Sequence, residues 1–178
     1  ALPQAEYIRE KGYEILYFTE EVDEFVAQTL MSYNEKPIKS VNSDDPEIES
    51  EEEKEQHKKR EEASKPLLTF VKEALGDKVK EVKVSQKLRS HPVCLVADGT
   101  LSFEMEKYLN QVQPDGGAKA GRILEVNPTH AVIEKLKGLQ DSDKEAATRY
   151  TQILYHQAEL MAGLPVENPT AYSELIFE

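Results

Sequence analysis

The stretch Gly12-Tyr-Glu-Ile-Leu-Tyr-Phe-Thr-Glu-Glu-Val-Asp-Glu-Phe25 is an apolar run followed directly by a helix-start signal. Residues 13–18 are aromatic or aliphatic except for Glu14, which predicts a buried strand. Thr19 can cap the next helix, and Glu20 and Glu21 place negative charge in its first turn. Apolar residues then recur at helical spacing, namely Val22, Phe25, Val26, Leu30 and Tyr33. This order of elements indicates an α/β unit.

The charge balance restricts the possible partners. The chain has 178 residues, of which 31% are charged, and a net charge of -12. Phosphate contacts require clustered Lys and Arg, so we expect no nucleic-acid partner and no binding to an anionic membrane. No apolar run approaches the roughly 20 residues of a membrane-spanning helix. The chain also opens without an initiator Met, in what reads as the middle of a helix, so we expect a fragment of a longer protein.

Reactive and metal-binding side chains are sparse. The single cysteine, Cys94, lies in a predicted buried strand, where a small core residue is expected. A lone cysteine and the absence of a leader signal favour a reducing, cytoplasmic location. The four histidines have no metal-like spacing, and no phosphate-binding loop is present. We therefore expect no catalytic site and no metal site, and the alternative is a small cytosolic α/β enzyme that uses Cys94.

A change of composition separates the opening unit from the rest of the chain. Residues 43–65 are dominated by Glu and Lys, which predicts a solvated helical linker, with a disordered acidic tract as the alternative. Asp45-Pro46 is a typical helix start. Lys65-Pro66 should break or kink the helix. An apolar stripe follows and ends at Gly76.

The central part of the chain predicts a small sheet. Strands are expected over residues 78–84, where valines are separated by charged residues, and over residues 93–97 and 122–126, which are mostly apolar. Asn127-Pro128 should cap a following helix. The Gly-rich residues 113–121 are expected to form a mobile loop. Together with the helices, these strands predict an α+β fold.

The helix predicted over residues 101–112 is amphipathic. One face carries Leu101, Met105, Tyr108, Leu109 and Val112, while Glu104, Glu106, Lys107 and Asn110 lie elsewhere. An ordinary core-facing helix explains this pattern. However, the flanking Asp98-Gly99 turn and the Gly-rich loop should anchor the helix poorly, and Met and Tyr suit adaptable binding surfaces.

The tail predicts two helices. Ser142-Asp-Lys-Glu145 is a capping box before a helix of about 20 residues. A last helix of about ten residues starts at Asn168-Pro169, and a helix that short is marginal alone in water. We therefore expect the two apolar stripes to pair with a second copy in a dimeric four-helix bundle. The alternative is packing on the strands of the same chain.

Several strings occur in the order found in one known family. They are Lys80-Glu-Val-Lys-Val-Ser-Gln-Lys-Leu88, Ser90-His-Pro-Val-Cys-Leu-Val96, Leu124-Glu-Val-Asn-Pro-Thr-His130 and Gln157-Ala-Glu-Leu-Met-Ala-Gly163. With the opening stretch, they resemble the ninety-kilodalton heat-shock protein family of molecular chaperones. The similarity covers nearly the whole chain. It implies that residues 1–42 are the end of the middle domain, and residues 43–178 the C-terminal dimerisation domain.

The resemblance also implies partners and site residues. It implies a homodimer that holds non-native client proteins, with ATP and Mg bound in an N-terminal domain that this chain lacks. Client contact is implied for Glu24, Phe25, Leu101, Met105, Tyr108 and Leu109. For Phe25, burial in the core is an equal alternative. The expected dimer contacts are Tyr150, Ile153, Leu154, Met161, Tyr172, Leu175 and Ile176.

Overall fold

The fold is α+β, as the sequence predicts. The computed structural model describes residues 3–41, 50–113 and 116–177, apart from the side chains of Glu21, Glu24 and Gln28. Its elements run in the order α1 (Ala5–Glu10), α2 (Glu21–Leu30), β1 (Ser32–Tyr33), β2 (Lys36–Pro37), α3 (Glu51–Leu75), β3 (Glu81–Val84), β4 (Val93–Ala97), α4 (Phe103–Val112), β5 (Arg122–Val126), α5 (Ala131–Ser142), α6 (Lys144–Met161) and α7 (Pro169–Phe177).

The three predicted strands are confirmed and form one sheet. Its order is β3-β5-β4, with β5 parallel to β3 and antiparallel to β4. Leu124 on β5 faces Leu95 on β4, and Val126 pairs with both Val84 and Val93. Every residue of β4 and β5 is buried, because protein covers both faces of these strands.

Helices α3, α5 and α6 cover one face of the sheet. The core between them and the strands contains Leu67, Val71, Leu95, Leu124, Ile133 and Leu154. A smaller cluster contains Leu88, Cys94, Val96 and Ile123. Helix α1 lies at the sheet as well, since Gln4 donates from Nε2 to the carbonyl oxygen of Leu95 at 3.2 Å.

Helix α3 contradicts the predicted break at Lys65-Pro66. It continues from Glu51 to Leu75 with Pro66 in its interior, and ends at Gly76, whose φ is +54°. Proline removes one helical hydrogen bond, but Pro66 and the residue one turn earlier, Glu62, are both exposed. Water can therefore satisfy the freed carbonyl group, while the buried Leu67 and Val71 hold the helix against the sheet.

The start of α3 carries a capping box that the sequence reading missed. The hydroxyl of Ser50 accepts from the amide of Glu53, and the carboxylate of Glu53 accepts from the amide of Ser50. The predicted start at Asp45-Pro46 lies outside the described residues.

The predicted strand over residues 13–18 is wrong. This segment is extended, but among the described residues no strand pairs with it. Its apolar side chains are largely exposed: Tyr13 by 55%, Leu16 by 75%, Tyr17 by 56% and Phe18 by 49%. An apolar run forms a strand only when a neighbouring edge supplies hydrogen bonds, and the sheet is built from strands elsewhere in the chain.

Helix α2 is confirmed, but its cap is not Thr19. Glu20 is the N-cap residue and forms a capping box with Asp23, whose carboxylate accepts from the amides of Thr19 and Glu20. Its apolar face is exposed, with Val22 at 60% and Val26 at 51%. A hairpin of β1 and β2 follows it.

Two further helix starts differ from the prediction. His130, not Asn127-Pro128, caps α5, because its Nδ1 accepts from the amide of Val132 at 3.2 Å. Asp143, not Ser142, caps α6, and its carboxylate accepts from the amide of Ala146 at 3.0 Å. The observed cap residues lie within three residues of the predicted ones, because several residues with capping side chains occur at each helix start.

Candidate functional site

Helix α4 presents a partly exposed apolar side. Ser102 caps the helix by accepting from the amide of Met105 at 3.1 Å. Met105, Tyr108 and Leu109 are each half-buried, and Val112 is 59% exposed. Leu101, just before the helix, packs against the core. The predicted apolar side is therefore neither fully buried nor fully solvated.

The buried side of α4 is not the predicted one. It contains Phe103, only 1% exposed, and Glu106, only 6% exposed. The helical spacing in the sequence predicts Glu106 away from the apolar face. The carboxylate of Glu106 meets the guanidinium group of Arg122 at the start of β5, with 2.8 Å between Oε1 and Nη2. The same carboxylate accepts from the amide of Ala120 at 2.7 Å through Oε2.

The prediction that α4 is poorly anchored is wrong for the described residues, whereas the mobility of the Gly-rich loop stays a prediction. Asn110 donates from Nδ2 to the carbonyl oxygen of Ala118 at 3.0 Å. Lys107 donates from Nζ to the carbonyl oxygen of Ala162, at the end of α6, at 3.2 Å. Ala120 is 3% exposed. Polar contacts therefore join Ala118 and Ala120 to α4, although the Gly-rich composition of this segment predicted little packing.

An aromatic pair connects helices α2 and α4. The rings of Phe25 and Tyr108 are 5.0 Å apart between centroids, with an angle of 82° between their planes. Phe25 keeps 38% of its surface exposed, so it is not the buried core residue of the alternative reading. The side chain of Glu24 lies outside the described part of the structure. The contact places predicted client residues from two distant stretches of sequence side by side.

Cys94 is a core residue, as expected. It is 1% exposed, and burial followed by the nearby Glu125 carboxylate raises the pKa of its thiol. Its Sγ lies 3.8 Å from Oε2 of that carboxylate, and the same oxygen accepts from the hydroxyl of Ser85 at 2.6 Å. A protonated, inaccessible thiol is a poor nucleophile, so the enzyme reading has no support here.

The histidines occupy structural positions. Nε2 of His57 lies 3.0 Å from the carbonyl oxygen of Val84, and Nδ1 of His156 lies 2.8 Å from the Glu159 carboxylate. Within the described residues, no group of His, Cys, Asp and Glu side chains is arranged to hold a metal ion. No helix in this part of the chain is both long and apolar enough to cross a bilayer.

Six of the seven predicted dimer residues divide into two groups by exposure. Tyr150 is 46% exposed and Ile176 is 52% exposed, while Ile153, Met161, Tyr172 and Leu175 are half-buried. Leu154 belongs to neither group, because it is 7% exposed and packs in the core of its own chain. Its apolar spacing along α6 matched both roles, and only the packing of α6 on the sheet separates them.

Helix α7 contacts α6, but its own side chains are not buried by this contact. The ring of Tyr172 lies 5.3 Å from the ring of His156 between centroids. No residue of α7 is buried, and Phe177 is 87% exposed. The described residues therefore form a helix pair within one chain, with an open apolar side.

Sequence reasoning missed the residues that hold α4 in place. The predicted apolar face of α4 leaves out Phe103, and charged residues such as Glu106 and Arg122 are seldom expected at buried positions. The available signal was the spacing of Phe103 and Glu106, three residues apart and hence on one helical side.

Comparison with known proteins identifies the family. The family model described as Hsp90 protein matches residues 1–178. The chaperone protein HtpG of Bacillus subtilis (strain 168) is 46% identical over 175 residues, which are 98% of this chain and 28% of that relative. The HtpG of Clostridium perfringens (strain 13 / Type A) is 48% identical over 172 residues, which are 97% of this chain and 27% of the relative.

The chain thus spans less than a third of the length of these curated relatives. The matches cover almost the whole chain, including α4 and the two tail helices, α6 and α7. On this evidence, the chain belongs to the Hsp90 family of chaperones.

Proposed function

We propose that this chain is the C-terminal dimerisation and client-contact region of an ATP-dependent chaperone. Residues 1–42 would be the end of the middle domain, and residues 43–178 the dimerisation domain, with the linker at its start. The observation that carries the proposal is the meeting of Phe25 and Tyr108 beside the half-exposed Met105 and Leu109.

The client surface is defined as Phe25, Met105, Tyr108 and Leu109, and the family resemblance adds Glu24 and Leu101 as client contacts. Partly exposed apolar side chains can cover the apolar segments of a non-native protein without losing the core packing of the helix. Met105 supplies a flexible, polarisable side chain that adapts to different partners. The aromatic pair adds a rigid part to this surface, because the rings of Phe25 and Tyr108 restrict each other's orientation.

Dimerisation is supported by the open side of the tail helices. Helix α7 has nine residues and buries none of them, and helices this short are marginal alone in water. A second copy would cover Tyr172, Leu175 and Ile176 on α7, with Tyr150, Ile153 and Met161 on α6. Two-fold pairing of helix pairs gives the four-helix bundle expected from the sequence.

The remaining roles follow from family membership. The proposal assigns ATP and Mg²⁺ to another part of the chaperone, and the action of the protein to the cytoplasm, where it assists folding under stress. This chain would contribute no catalytic group. The net charge of -12 supports a protein partner over nucleic acid or an anionic membrane.

Client contact is tested by replacing both Met105 and Leu109 with Ser. We expect weaker binding of reduced, carboxymethylated α-lactalbumin, a permanently unfolded protein, measured by fluorescence anisotropy. Thermal unfolding should change little, because both side chains are half-buried. Val132→Ser is the matched control, since Val132 is a 43% exposed apolar residue on α5. Unchanged affinity in the double variant would contradict the client surface.

Dimerisation is tested by light scattering with multi-angle detection. We expect the mass of two chains at micromolar concentration. A monomer across the whole accessible concentration range would contradict this part of the proposal, whatever the result for client binding.

A further inference from the structure

Glu106 and Arg122 form a buried ion pair between α4 and the first residue of β5. Their side chains are 7% and 6% exposed. Arg122 donates from Nη2 to Oε1 at 2.8 Å and from Nη1 to Oε2 at 3.3 Å. Nη1 also donates to the carbonyl oxygen of Ala120 at 2.8 Å, and the amide of Ala120 donates to Oε2 at 2.7 Å. One carboxylate therefore joins the helix, the strand and the segment between them.

The pair is poorly explained by stability alone. Removing two charges from water is costly, and apolar residues of similar volume often serve a core as well or better. Moreover, Nε of Arg122 is buried without a hydrogen-bond partner among the described residues. The pair can instead fix the orientation of α4, because a guanidinium group and a carboxylate meet in a fixed, fork-like geometry.

The geometry of the ion pair sets the roll of α4, that is, its rotation about the helix axis. Successive residues of an α-helix are about 100° apart around that axis. With Glu106 held toward Arg122, Met105 and Leu109 fall beside the buried side, where they remain half-exposed, and Tyr108 meets Phe25. A slip of α4 by one residue would move each of these side chains to a different side.

We propose that Glu106 is a positioning residue of the client surface, acting through Arg122 and Ala120. It fixes the roll of α4, so that Met105, Tyr108 and Leu109 present one continuous apolar surface with Phe25. The role of the surface rests on the proposed function, whereas the control of helix orientation by the ion pair stands on the geometry.

The first experiment uses Glu106→Gln in the full chain, with Glu134→Gln on the exposed side of α5 as the matched control. Gln keeps the size of the side chain but removes its charge. We expect hydrogen exchange of the α4 amides to become faster, and affinity for reduced, carboxymethylated α-lactalbumin to fall about tenfold, within the coupling range of residues in one salt-bridge network. The control should change neither quantity.

The second experiment separates orientation from stability with Glu106→Leu combined with Arg122→Met. Replacing both charges should recover most of the thermal midpoint lost in Glu106→Gln, since no unpaired charge stays buried. The remaining difference reflects the amide and carbonyl groups of Ala120, which lose their partners. Client affinity should remain low, because the apolar pair no longer selects one roll of the helix. Recovery of affinity together with the midpoint would show a purely structural role and overturn the inference.

The exchange measurement also keeps the two proposals distinguishable. If the wild-type chain fails to bind the unfolded protein, the client function fails, and faster α4 exchange in Glu106→Gln still supports the positioning role. If α4 exchange is unchanged in Glu106→Gln, the positioning role is wrong, even when replacing Met105 and Leu109 with Ser abolishes client binding.

Discussion

The ring of Phe25 on α2 meets the ring of Tyr108 on α4 edge to face, with 5.0 Å between their centroids. This contact connects the opening unit of the chain to the helix that carries Met105 and Leu109. Edge-to-face packing of two aromatic rings contributes beyond the apolar area that it buries. The pair therefore has a structural role as well as a place on the proposed client surface.

A double-mutant cycle measures this contact. We expect Phe25→Ala and Tyr108→Ala to show a coupling of about 0.5–1.5 kcal/mol in the free energy of unfolding, the range for aromatic pairs. Denaturant titrations of the four proteins give the value. Pairing Phe25→Ala with Tyr150→Ala is the control, because the ring of Tyr150 lies beside Arg149 on α6. Coupling near zero in the first cycle would show that the two helices do not hold each other.

Leu154 and Ile176 should respond differently to substitution. Leu154 lies in the core, so Leu154→Ala should lower the free energy of unfolding by about 2–5 kcal/mol. Ile176 is 52% exposed, so Ile176→Asp should leave helical circular dichroism largely unchanged while it shifts the mass toward the monomer. Denaturant titration and light scattering report the two effects. A stable dimer of the Ile176 variant would remove α7 from the predicted interface.

Glu53 should contribute to stability in a pH-dependent way. Hydrogen bonds from Lys11 and from the amide of Ser50 lower the pKa of its carboxyl group to about 2. A lowered pKa stabilises the fold above the ordinary carboxyl pKa, and the effect is lost as the pH falls through about 2. Glu53→Gln should therefore lower the thermal midpoint at neutral pH, and the difference from wild type should shrink in acid.

The control for Glu53 is Glu52→Gln, an exposed acid in the same turn. The expected loss is small, because both partners of the Lys11–Glu53 pair are partly exposed. An equal effect of the two substitutions would show that neither the cap nor the ion pair distinguishes Glu53.

Cys94 should react slowly with thiol reagents in the folded protein. It is 1% exposed, and burial raises the pKa of its thiol, so the reactive thiolate is scarce at neutral pH. Labelling by an aromatic disulfide, followed by absorbance, should become fast only in denaturant. Rapid labelling of the native chain would revive the reading of Cys94 as a nucleophile.

Regular, locally encoded elements could be predicted from the sequence. The three strands of the sheet were recognisable because runs such as Val93–Ala97 are continuously apolar. Helices with apolar spacing, such as α6, were recognised as well. The apolar run over residues 13–18 gave a wrong strand prediction. A strand depends on hydrogen bonds to a neighbouring strand, and no local pattern reveals whether one is available. Pro66 misled for a related reason: tertiary packing of Leu67 and Val71 outweighed the helix-breaking tendency.

The sequence by itself determined the family, the order of most elements and the amphipathic character of α4 and α6, since these depend on residue identity and local spacing. Tertiary structure alone decided which side of α4 is buried. Glu106 could enter the core only because Arg122 and Ala120 lie where its carboxylate needs partners. It likewise decided that Leu154 packs inside its chain while Ile176 stays exposed. Burial of a side chain depends on what other segments bring to it, and helical spacing specifies only which side chains share a face.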